Sequence, residues 1–306
     1  MSNEEMIRKF YDAFKNKDMI VIDQLCYENI EWNTLKGMPH GGKYIGLKAI
    51  FGVALKLNLP VIIGVSEGER EFLGTQRVAL SIKNLREEYN YPIFLNADHT
   101  HSLEKIKEAV AAGFDAVMFD GSQLPLEENI KKTKEAVDYV KNVNPEILLE
   151  AELGYIKGSS TILSTSDVLI IKEEDLTKPE EAGQFVKETE IDLLAPAVGN
   201  IHGLLKDVPQ PDLNIERIRQ IKSVVGVPLV LHGGSGISDE DFLAAIDAGI
   251  SIIHINTELR LAWRKGLEKA LKEKPEEIVP YKLLPQVIEE IKMVVEYKLK
   301  LFNKII

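Results

Sequence analysis

Short apolar runs alternate with helical periods from about residue 59 to residue 255. The runs are Pro60–Val65, Pro92–Ala97, Ala116–Phe119, Glu146–Leu153, Asp192–Val198, Pro228–Leu231 and Ser251–Ile255. Each is nearly continuous in apolar residues, which is typical of parallel strands buried on both faces. The segments between them, such as Leu103–Ala112 and Glu127–Val143, are amphipathic. This alternation predicts right-handed βαβ units, and the number of runs favours a (β/α)8 TIM barrel over an open sheet.

Residues 1–50 follow a different pattern. Residues 7–25 predict two short helices, Ile30–Leu35 predicts a strand, and Lys36–Lys43 reads as a turn rich in glycine. Two helices, a strand and a turn do not make the first βα unit of a barrel, so we predict an atypical N-terminal α+β segment in its place. Tyr44–Ala49 is the remaining candidate to close the sheet, and an unpaired edge would destabilise the barrel or drive association.

The stretches FYDAFKNKDM and YENIEWNTLKGMPHGGKYIGLKAIF resemble the opening of SnoaL-like domains, which are small α+β cones that bind apolar ligands. A complete domain of that kind is longer and has more strands. We therefore expect a SnoaL-like fragment over residues 1–50, a fusion junction near Gly46–Leu57, and a barrel with a C-terminal helical tail over residues 51–306. A divergent start of the barrel is the alternative.

The C-terminal tail predicts an apolar-periodic helix from Val287 onward. Its apolar positions are Ile288, Ile291, Val294, Val295 and Leu299. A stripe of this kind is typical of a packing face or a subunit face rather than of a ligand site. We expect a homo-oligomer, either a dimer or a tetramer.

The charge balance narrows the classes of function. The 306 residues include 37 basic and 48 acidic side chains, with a formal net charge of −11. That balance argues against a nucleic-acid partner, which requires a basic surface. The single cysteine, Cys26, excludes intrachain disulfides and thiolate metal clusters, and it suits a reducing cytoplasm. We see no signal peptide and no apolar run long enough to span a membrane, so we expect a cytoplasmic enzyme.

Histidines mark the ends of several predicted strands. The chain has six, and four of them stand at or just past such an end: His99, His202, His232 and His254. The carboxyl ends of all barrel strands open onto one face, so these side chains are expected to converge. Neutral imidazoles suit Zn²⁺, and a catalytic zinc typically has three protein ligands and an open position. For any one histidine alone, a hydrogen-bonded loop or core residue is the alternative.

Five stretches carry a family resemblance: FLNADH, LLEAELG, APAVGNIHG, PLVLHGGSGI and INTELRLAW. Together and in this order they resemble the class II fructose-bisphosphate aldolase family, from about Asn58 to Asn303. The resemblance implies that His99, His202 and His232 hold zinc. It also implies that Asp98 is the acid/base for the aldehyde oxygen and that Glu152 lies near the metal.

The resemblance extends to phosphate recognition. The residues that match family positions around the substrate phosphate or a nearby monovalent cation are Gly203, Gly233, Ser235, Asn256 and Thr257. Backbone amides of a glycine-rich turn can form an anion nest, whatever the net charge of the protein. Loops after the last two strands are a frequent phosphate site in this fold. Arg260 is either a helix-borne partner of the phosphate or an exposed surface residue.

Three positions depart from the family pattern. Asn96 stands where the family usually has histidine, Tyr155–Ser160 lacks the acidic residue of the mobile loop, and His254 replaces a substrate-binding asparagine. The expected activity is reversible, zinc-dependent aldol cleavage of fructose 1,6-bisphosphate, an aldehyde-lyase reaction of glycolysis. The alternatives are a tagatose-bisphosphate or related ketose-phosphate aldolase, and a catalytically impaired barrel that binds sugar phosphates.

Overall fold

The structure is a computed structural model, and it describes residues 41–163, 170–206 and 208–305. The strands are β1 (Val61–Ser66), β2 (Ile93–Thr100), β3 (Ala116–Phe119), β4 (Leu148–Leu153), β5 (Gly158–Leu163), β6 (Leu193–Pro196), β7 (His202–Leu205), β8 (Leu229–Leu231) and β9 (Ile250–Ile253). The helices are α1 (Gly41–Leu57), α2 (Glu67–Leu73), α3 (Thr75–Tyr89), α4 (Leu103–Ala112), α5 (Leu126–Val143), α6 (Pro179–Thr189), α7 (Ile215–Val224), α8 (Asp239–Ala248), α9 (Thr257–Glu273) and α10 (Pro280–Phe302).

One parallel sheet forms the frame of the described chain. Its strand order is β1-β2-β3-β4-β6-β8-β9, and each strand pairs in parallel with the next. Each of the seven predicted apolar runs supplies one of these strands. The predicted α/β architecture of alternating strands and helices is therefore confirmed, and the curled sheet is of the (β/α) barrel type.

Local sequence signals explain where the helices begin and end. The Ser102 hydroxyl accepts a hydrogen bond from the backbone N–H of Lys105 at the start of α4, and Ser238 caps α8 in the same way. Helix α4 ends at Gly113, whose φ of 90° lies in the left-handed region that favours glycine. These short, capped helices bury one face against the sheet, so the loops at the carboxyl ends of the strands are left free to build a site.

The two outer strands of the sheet are less buried than the inner ones. Strands β6 and β8 are buried at every residue, whereas Ile62 in β1 is 41% exposed. In the described part of the chain, β1 pairs only with β2, and β9 pairs only with β8. An apolar cavity of about 760 Å³ lies between these two outer strands, lined by side chains that include Ile252 and Trp263.

Tyr44–Ala49, the candidate segment to close the sheet, does not form a strand, because these residues lie in α1. Ala49 and Val53, one helical turn apart, are buried in a cluster with Val287 and Ile291 of α10. Packing on a neighbouring helix requires a period of 3.6 residues, which a strand does not provide. The predicted C-terminal helix is present and begins earlier, at Pro280, and part of its apolar stripe packs within the chain.

Most expectations for the N-terminus lie outside the described residues. These are the two short helices, the strand Ile30–Leu35 and the SnoaL-like character of residues 1–40. The last residues of the predicted turn, from Gly41 onward, belong instead to α1, because that helix begins there. Helix α1 also runs through the expected junction near Gly46–Leu57. The division of the chain at residue 50 stays a prediction.

A second, small sheet has no counterpart in the sequence-based prediction. Strands β5 and β7 pair in parallel with each other. Along the chain, β5 follows the carboxyl end of β4, and β7 follows that of β6. Both strands are short and follow glycine-containing turns, so neither carries the long apolar run that identifies a core strand.

Within the described ranges, no helix combines the length and the apolar character needed to cross a membrane.

Candidate active site

Strand β2 ends in an irregular stretch that carries two candidate site residues. The pairing register with β3 shifts between Ala97 and Thr100, and His99 has a φ of 35°, which is uncommon for a residue other than glycine. Neighbouring side chains of a regular strand point to opposite faces. The irregular backbone lets Asp98 and His99 line the same small pocket.

The three predicted histidine ligands lie together. The ring centroids are 5.0 Å apart for His99 and His202, 4.8 Å for His99 and His232, and 6.3 Å for His202 and His232. With Glu152 they offer four ligand atoms that all lie within 4.8 Å of one another. Three imidazoles and a carboxylate are a donor set that suits a zinc ion.

His202 belongs to a different strand from the one that was predicted to position it. It was expected just past a strand over Asp192–Val198, but that strand ends at Pro196 and His202 begins β7 of the small sheet. Residues 197–201 carry the chain from one sheet to the other. The position of His202 therefore depends on the β5–β7 pairing, in which its Cα faces that of Gly158.

Two acidic residues orient the imidazole rings, and sequence reasoning missed both. Asp120 Oδ2 lies 2.8 Å from Nδ1 of His99, and Glu150 Oε1 lies 2.7 Å from Nε2 of His232. A carboxylate on one ring nitrogen leaves the other nitrogen to face a metal. A signal for each was available, because Asp120 directly follows β3, and Glu150 precedes Glu152 by two residues and so shares its face of β4.

Buried atoms without partners mark where a metal fits. Among the described residues, Nε2 of His202 and Oε2 of Glu152 have no hydrogen-bond partner. Glu152 is 1% exposed, so water cannot readily satisfy its carboxylate. Leaving such groups unpaired is costly. A cation held between these side chains removes that cost, and the residues present therefore fit the group that the resemblance implies.

The carboxylates shift the protonation of the cluster. Burial lowers the pKa of His99, but the charges of Asp98 and Asp120 outweigh it and raise the pKa to about 10. Burial and the charge of Asp120 raise the pKa of Glu152 to about 8. Burial and the positive charge of His99 lower the pKa of His202 to about 3. In the metal-free protein at neutral pH, His99 and Glu152 therefore carry protons, and His202 does not.

Asp98 is paired with His254 across the pocket. Its carboxylate Oδ1 lies 3.3 Å from Nδ1 of His254, which follows β9. Burial raises the pKa of Asp98, but the neighbouring charges of His99 and His254 lower it further, to well below its usual range. Asp98 is therefore an ionised carboxylate at the edge of the histidine cluster, able to accept a proton.

The predicted phosphate-binding residues line the same pocket as Asp98 and the histidines. They are Gly203, Gly233, Ser235, His254, Asn256 and Thr257. Gly233 has a φ of 62°, and a Cβ there would lie 2.4 Å from the carbonyl oxygen of Ile201, so only glycine fits the turn. Thr257 begins α9, whose amino end is polarised to attract an anion. Glu152 does not line this pocket, although its carboxylate lies within reach of the three histidines.

The loop that carries β5 contributes Ser160 to the pocket. Its described residues from Tyr155 to Leu163 include no acidic side chain. Arg260 of α9 reaches this loop, with Nη1 3.3 Å from the Ser160 carbonyl oxygen and Nη2 3.3 Å from Glu69. Arg260 thus anchors the rim of the pocket to α2.

Comparisons with known proteins agree with this geometry. A family model described as fructose-bisphosphate aldolase class-II matches residues 43–305. A fructose-bisphosphate aldolase from Geobacillus stearothermophilus is 33% identical over 99% of this chain and 98% of its own length. One from Staphylococcus aureus is 36% identical over 84% of this chain and 87% of its own.

Solved structures give the same result. The YdjI aldolase from Escherichia coli K12 is similar in structure with a TM-score of 0.69 and 33% sequence identity. The similarity covers 85% of this chain and 87% of that one. A putative fructose-1,6-biphosphate aldolase from Coccidioides immitis has the same TM-score at 27% identity, and it covers 88% of this chain and 96% of its own.

Proposed function

The chain belongs to the class II fructose-bisphosphate aldolase family, and from this premise we propose that it catalyses the zinc-dependent, reversible cleavage of fructose 1,6-bisphosphate to dihydroxyacetone phosphate and glyceraldehyde 3-phosphate. As a member, it is an aldolase, and thus a lyase, and the family acts on sugar phosphates. The observation that supports the proposed dependence on zinc is the set of four ligand atoms within 4.8 Å of one another. We also propose that the enzyme is cytoplasmic and acts as a homo-oligomer.

His99, His202 and His232 would hold the zinc ion, and Glu152 is the fourth donor within reach. When bound, zinc supplies a Lewis acid for the negative charge that develops on the substrate's ketone oxygen. The chain prepares the donors for this role, because Asp120 and Glu150 fix the rings of His99 and His232. Their hydrogen bonds also increase the basicity of the nitrogen that faces the metal.

Asp98 is the proposed acid/base. In the cleavage direction its carboxylate takes the proton of the C4 hydroxyl while the bond between C3 and C4 breaks, and the electron pair of that bond stays on C3. C3 then takes a proton from solvent, and dihydroxyacetone phosphate is complete. The C4 fragment leaves as the aldehyde. In the condensation direction Asp98 returns the proton to the aldehyde oxygen. The charge of His254, whose Nδ1 lies 3.3 Å from the carboxylate, keeps Asp98 ionised for this transfer.

Backbone amides and short polar side chains would bind the substrate phosphate. The residues that line the pocket and could contribute to this binding are Gly203, Gly233, Ser235, Asn256 and Thr257. Ser235 is fixed in place because its Oγ accepts a hydrogen bond from the N–H of Glu258, at 3.2 Å. The side-chain oxygens of Ser235, Asn256 and Thr257 are also suited to a monovalent cation beside the phosphate.

One observation favours a second substrate. His254 stands in the pocket where the family commonly has an asparagine, and an imidazole differs from an amide in size and in donor geometry. A tagatose bisphosphate or a related ketose phosphate is therefore the alternative substrate. The absence of an acidic side chain from the described residues Tyr155 to Leu163 favours the third candidate, a barrel that binds the sugar phosphate and cleaves it slowly.

The test is metal analysis of the purified protein combined with aldol cleavage of fructose and tagatose bisphosphates. We expect stoichiometric zinc, loss of cleavage after chelation and recovery when zinc is returned. His232→Ala should abolish cleavage, whereas His101→Ala, at an exposed histidine outside the cluster, should retain it. Absence of stoichiometric zinc, or cleavage that persists in His232→Ala, would contradict the proposal.

A further inference from the structure

A buried arginine lies directly behind the irregular end of β2. Arg70 belongs to α2 and is 3% exposed. Its Nη1 donates to the carbonyl oxygen of Val65 and, at 3.0 Å, to that of Asp98. Its Nη2 donates to Oγ1 of Thr100 at 2.7 Å. One guanidinium thus joins the end of β1 to the two residues that flank His99.

The bonds of Arg70 coincide with the register shift in β2. The shift falls between Ala97 and Thr100, and the φ of His99 within it is 35°. An unusual backbone conformation of this kind persists only where its surroundings hold it. Asp98 contributes the carbonyl of the peptide bond that leads into His99, so a bond to that oxygen constrains the orientation of both residues. Thr100 is held as well, because its hydroxyl also lies 3.2 Å from the Ala97 carbonyl oxygen.

Burying a charged side chain carries a desolvation penalty, which a purely structural contact does not require. Burial lowers the pKa of Arg70, and the charges of Glu67 and Asp98 oppose that effect. An apolar side chain could fill the same space without a desolvation cost. What it could not do is offer a rigid fork of donors to three acceptors on two strands.

We propose that Arg70 is a positioning residue for the aldol reaction, which holds the peptide between Asp98 and His99 and so places the acid/base carboxylate and a metal-binding imidazole together. The proposal rests on the proposed function for the roles of those two residues. Arg70 itself touches neither substrate nor metal. Its effect is transmitted through the Asp98 carbonyl and the Thr100 hydroxyl.

Arg86 provides a matched control on the same strand. Its Nε donates to the carbonyl oxygen of Ile93 at 2.9 Å, and its Nη2 lies 2.5 Å from the carboxylate of Asp115. These bonds brace the other end of β2, away from the site. If arginines merely stabilise this strand, Arg70→Met and Arg86→Met should have the same kind of effect.

The experiment compares Arg70→Met, Arg70→Lys and Arg86→Met with the wild type. Four quantities are measured: the melting temperature of the metal-free protein, zinc affinity by competition with a chromogenic chelator, the visible spectrum of the cobalt-substituted protein without substrate, and kcat and KM for cleavage. For Arg70→Met we expect zinc affinity to fall by about tenfold or more, an altered cobalt spectrum, and a lower kcat with little change in KM. Arg70→Lys should give a zinc affinity and a kcat between those of the wild type and those of Arg70→Met. Arg86→Met should lower the melting temperature only.

The outcomes separate the two proposals. Unchanged zinc affinity and an unchanged cobalt spectrum in a folded Arg70→Met would overturn the positioning role and leave a structural one. If Arg70→Met does not fold, Thr100→Val decides, because it removes one acceptor of Arg70 while keeping the side-chain shape. Wild-type protein that binds zinc without cleaving a ketose bisphosphate would contradict the proposed function, whereas the zinc and cobalt measurements would still test Arg70.

Discussion

Zinc binding should release protons from this protein, and their number reports whether Glu152 is a ligand. A group that is protonated in the metal-free protein must lose its proton before it can bind the metal. The pKa of His99 is raised to about 10 and that of Glu152 to about 8, whereas the pKa of His202 is lowered to about 3. Burial and the charge of His254 also lower the pKa of His232. Among these four candidate ligands, only His99 and Glu152 therefore have a proton to release at neutral pH.

The magnitude follows from these pKa values. At pH 7 His99 contributes about one proton, and Glu152 contributes about 0.9 more if it binds the metal. At pH 8.5 the contribution of Glu152 falls to about 0.2, because most of the carboxyl is already ionised there. Since a raised pKa means that protons compete with the metal below it, zinc affinity should rise with pH through this range.

Titration calorimetry in buffers of different ionisation enthalpy counts the protons. The comparison of wild type with Glu152→Gln cancels any proton lost from a metal-bound water. We expect a difference of about 0.9 proton at pH 7 and about 0.2 at pH 8.5. A difference near zero at pH 7 would show that three histidines hold the metal without Glu152. Equal differences at both pH values would refute the assigned pKa of Glu152.

Three further predictions follow from individual contacts. His254→Asn should raise the pKa of Asp98, because it removes a positive charge beside the carboxylate. The acidic limb of the pH profile of kcat/KM should therefore move to higher pH. An unmoved limb would disprove the coupling between the two residues. Glu150→Gln should weaken zinc binding by about tenfold in a chelator competition, since the ring of His232 loses its charged partner, and unchanged affinity would exclude that role. Ile291→Ala should lower the free energy of unfolding in urea by about 2–5 kcal/mol while cleavage per folded molecule is kept, and a loss below about 1 kcal/mol would mean that the cluster with α1 is loosely packed.

The sheet and most of the site could be predicted from sequence because their signals are local. A parallel strand buried on both faces is apolar throughout, so β3 was located to the residue and β2, β4 and β8 to within a few residues. A histidine placed after such a strand is fixed at one edge of the sheet. His232 and His254 were found in this way.

Features that depend on pairing between distant segments could not be predicted. Strands β5 and β7 exist because two short segments meet, and neither is long enough to show a periodicity of its own. Helix α1 was mistaken in part for a turn and a strand, because its glycines mask the helical face that packs on α10. Asp120 and Glu150 were missed because a carboxylate that orients a histidine resembles any other acidic residue until the ring is in place.

The ion pair between Asp98 and His254 explains how the site can form although β1 and β9 do not pair with each other in the described structure. Asp98 lies on β2, and His254 follows β9, so this 3.3 Å contact links the two sides of the sheet over the end of β1. Gly64 of β1 lies beside this contact, and a Cβ there would be at an ordinary packing distance, 3.7 Å, from the Cβ of Asp98. The carboxyl edge of the sheet is thus joined by side chains rather than by backbone pairing. Since His99 follows Asp98 and the ring centroid of His254 lies 4.2 Å from that of His232, the contact also connects the proposed acid/base to the proposed metal ligands.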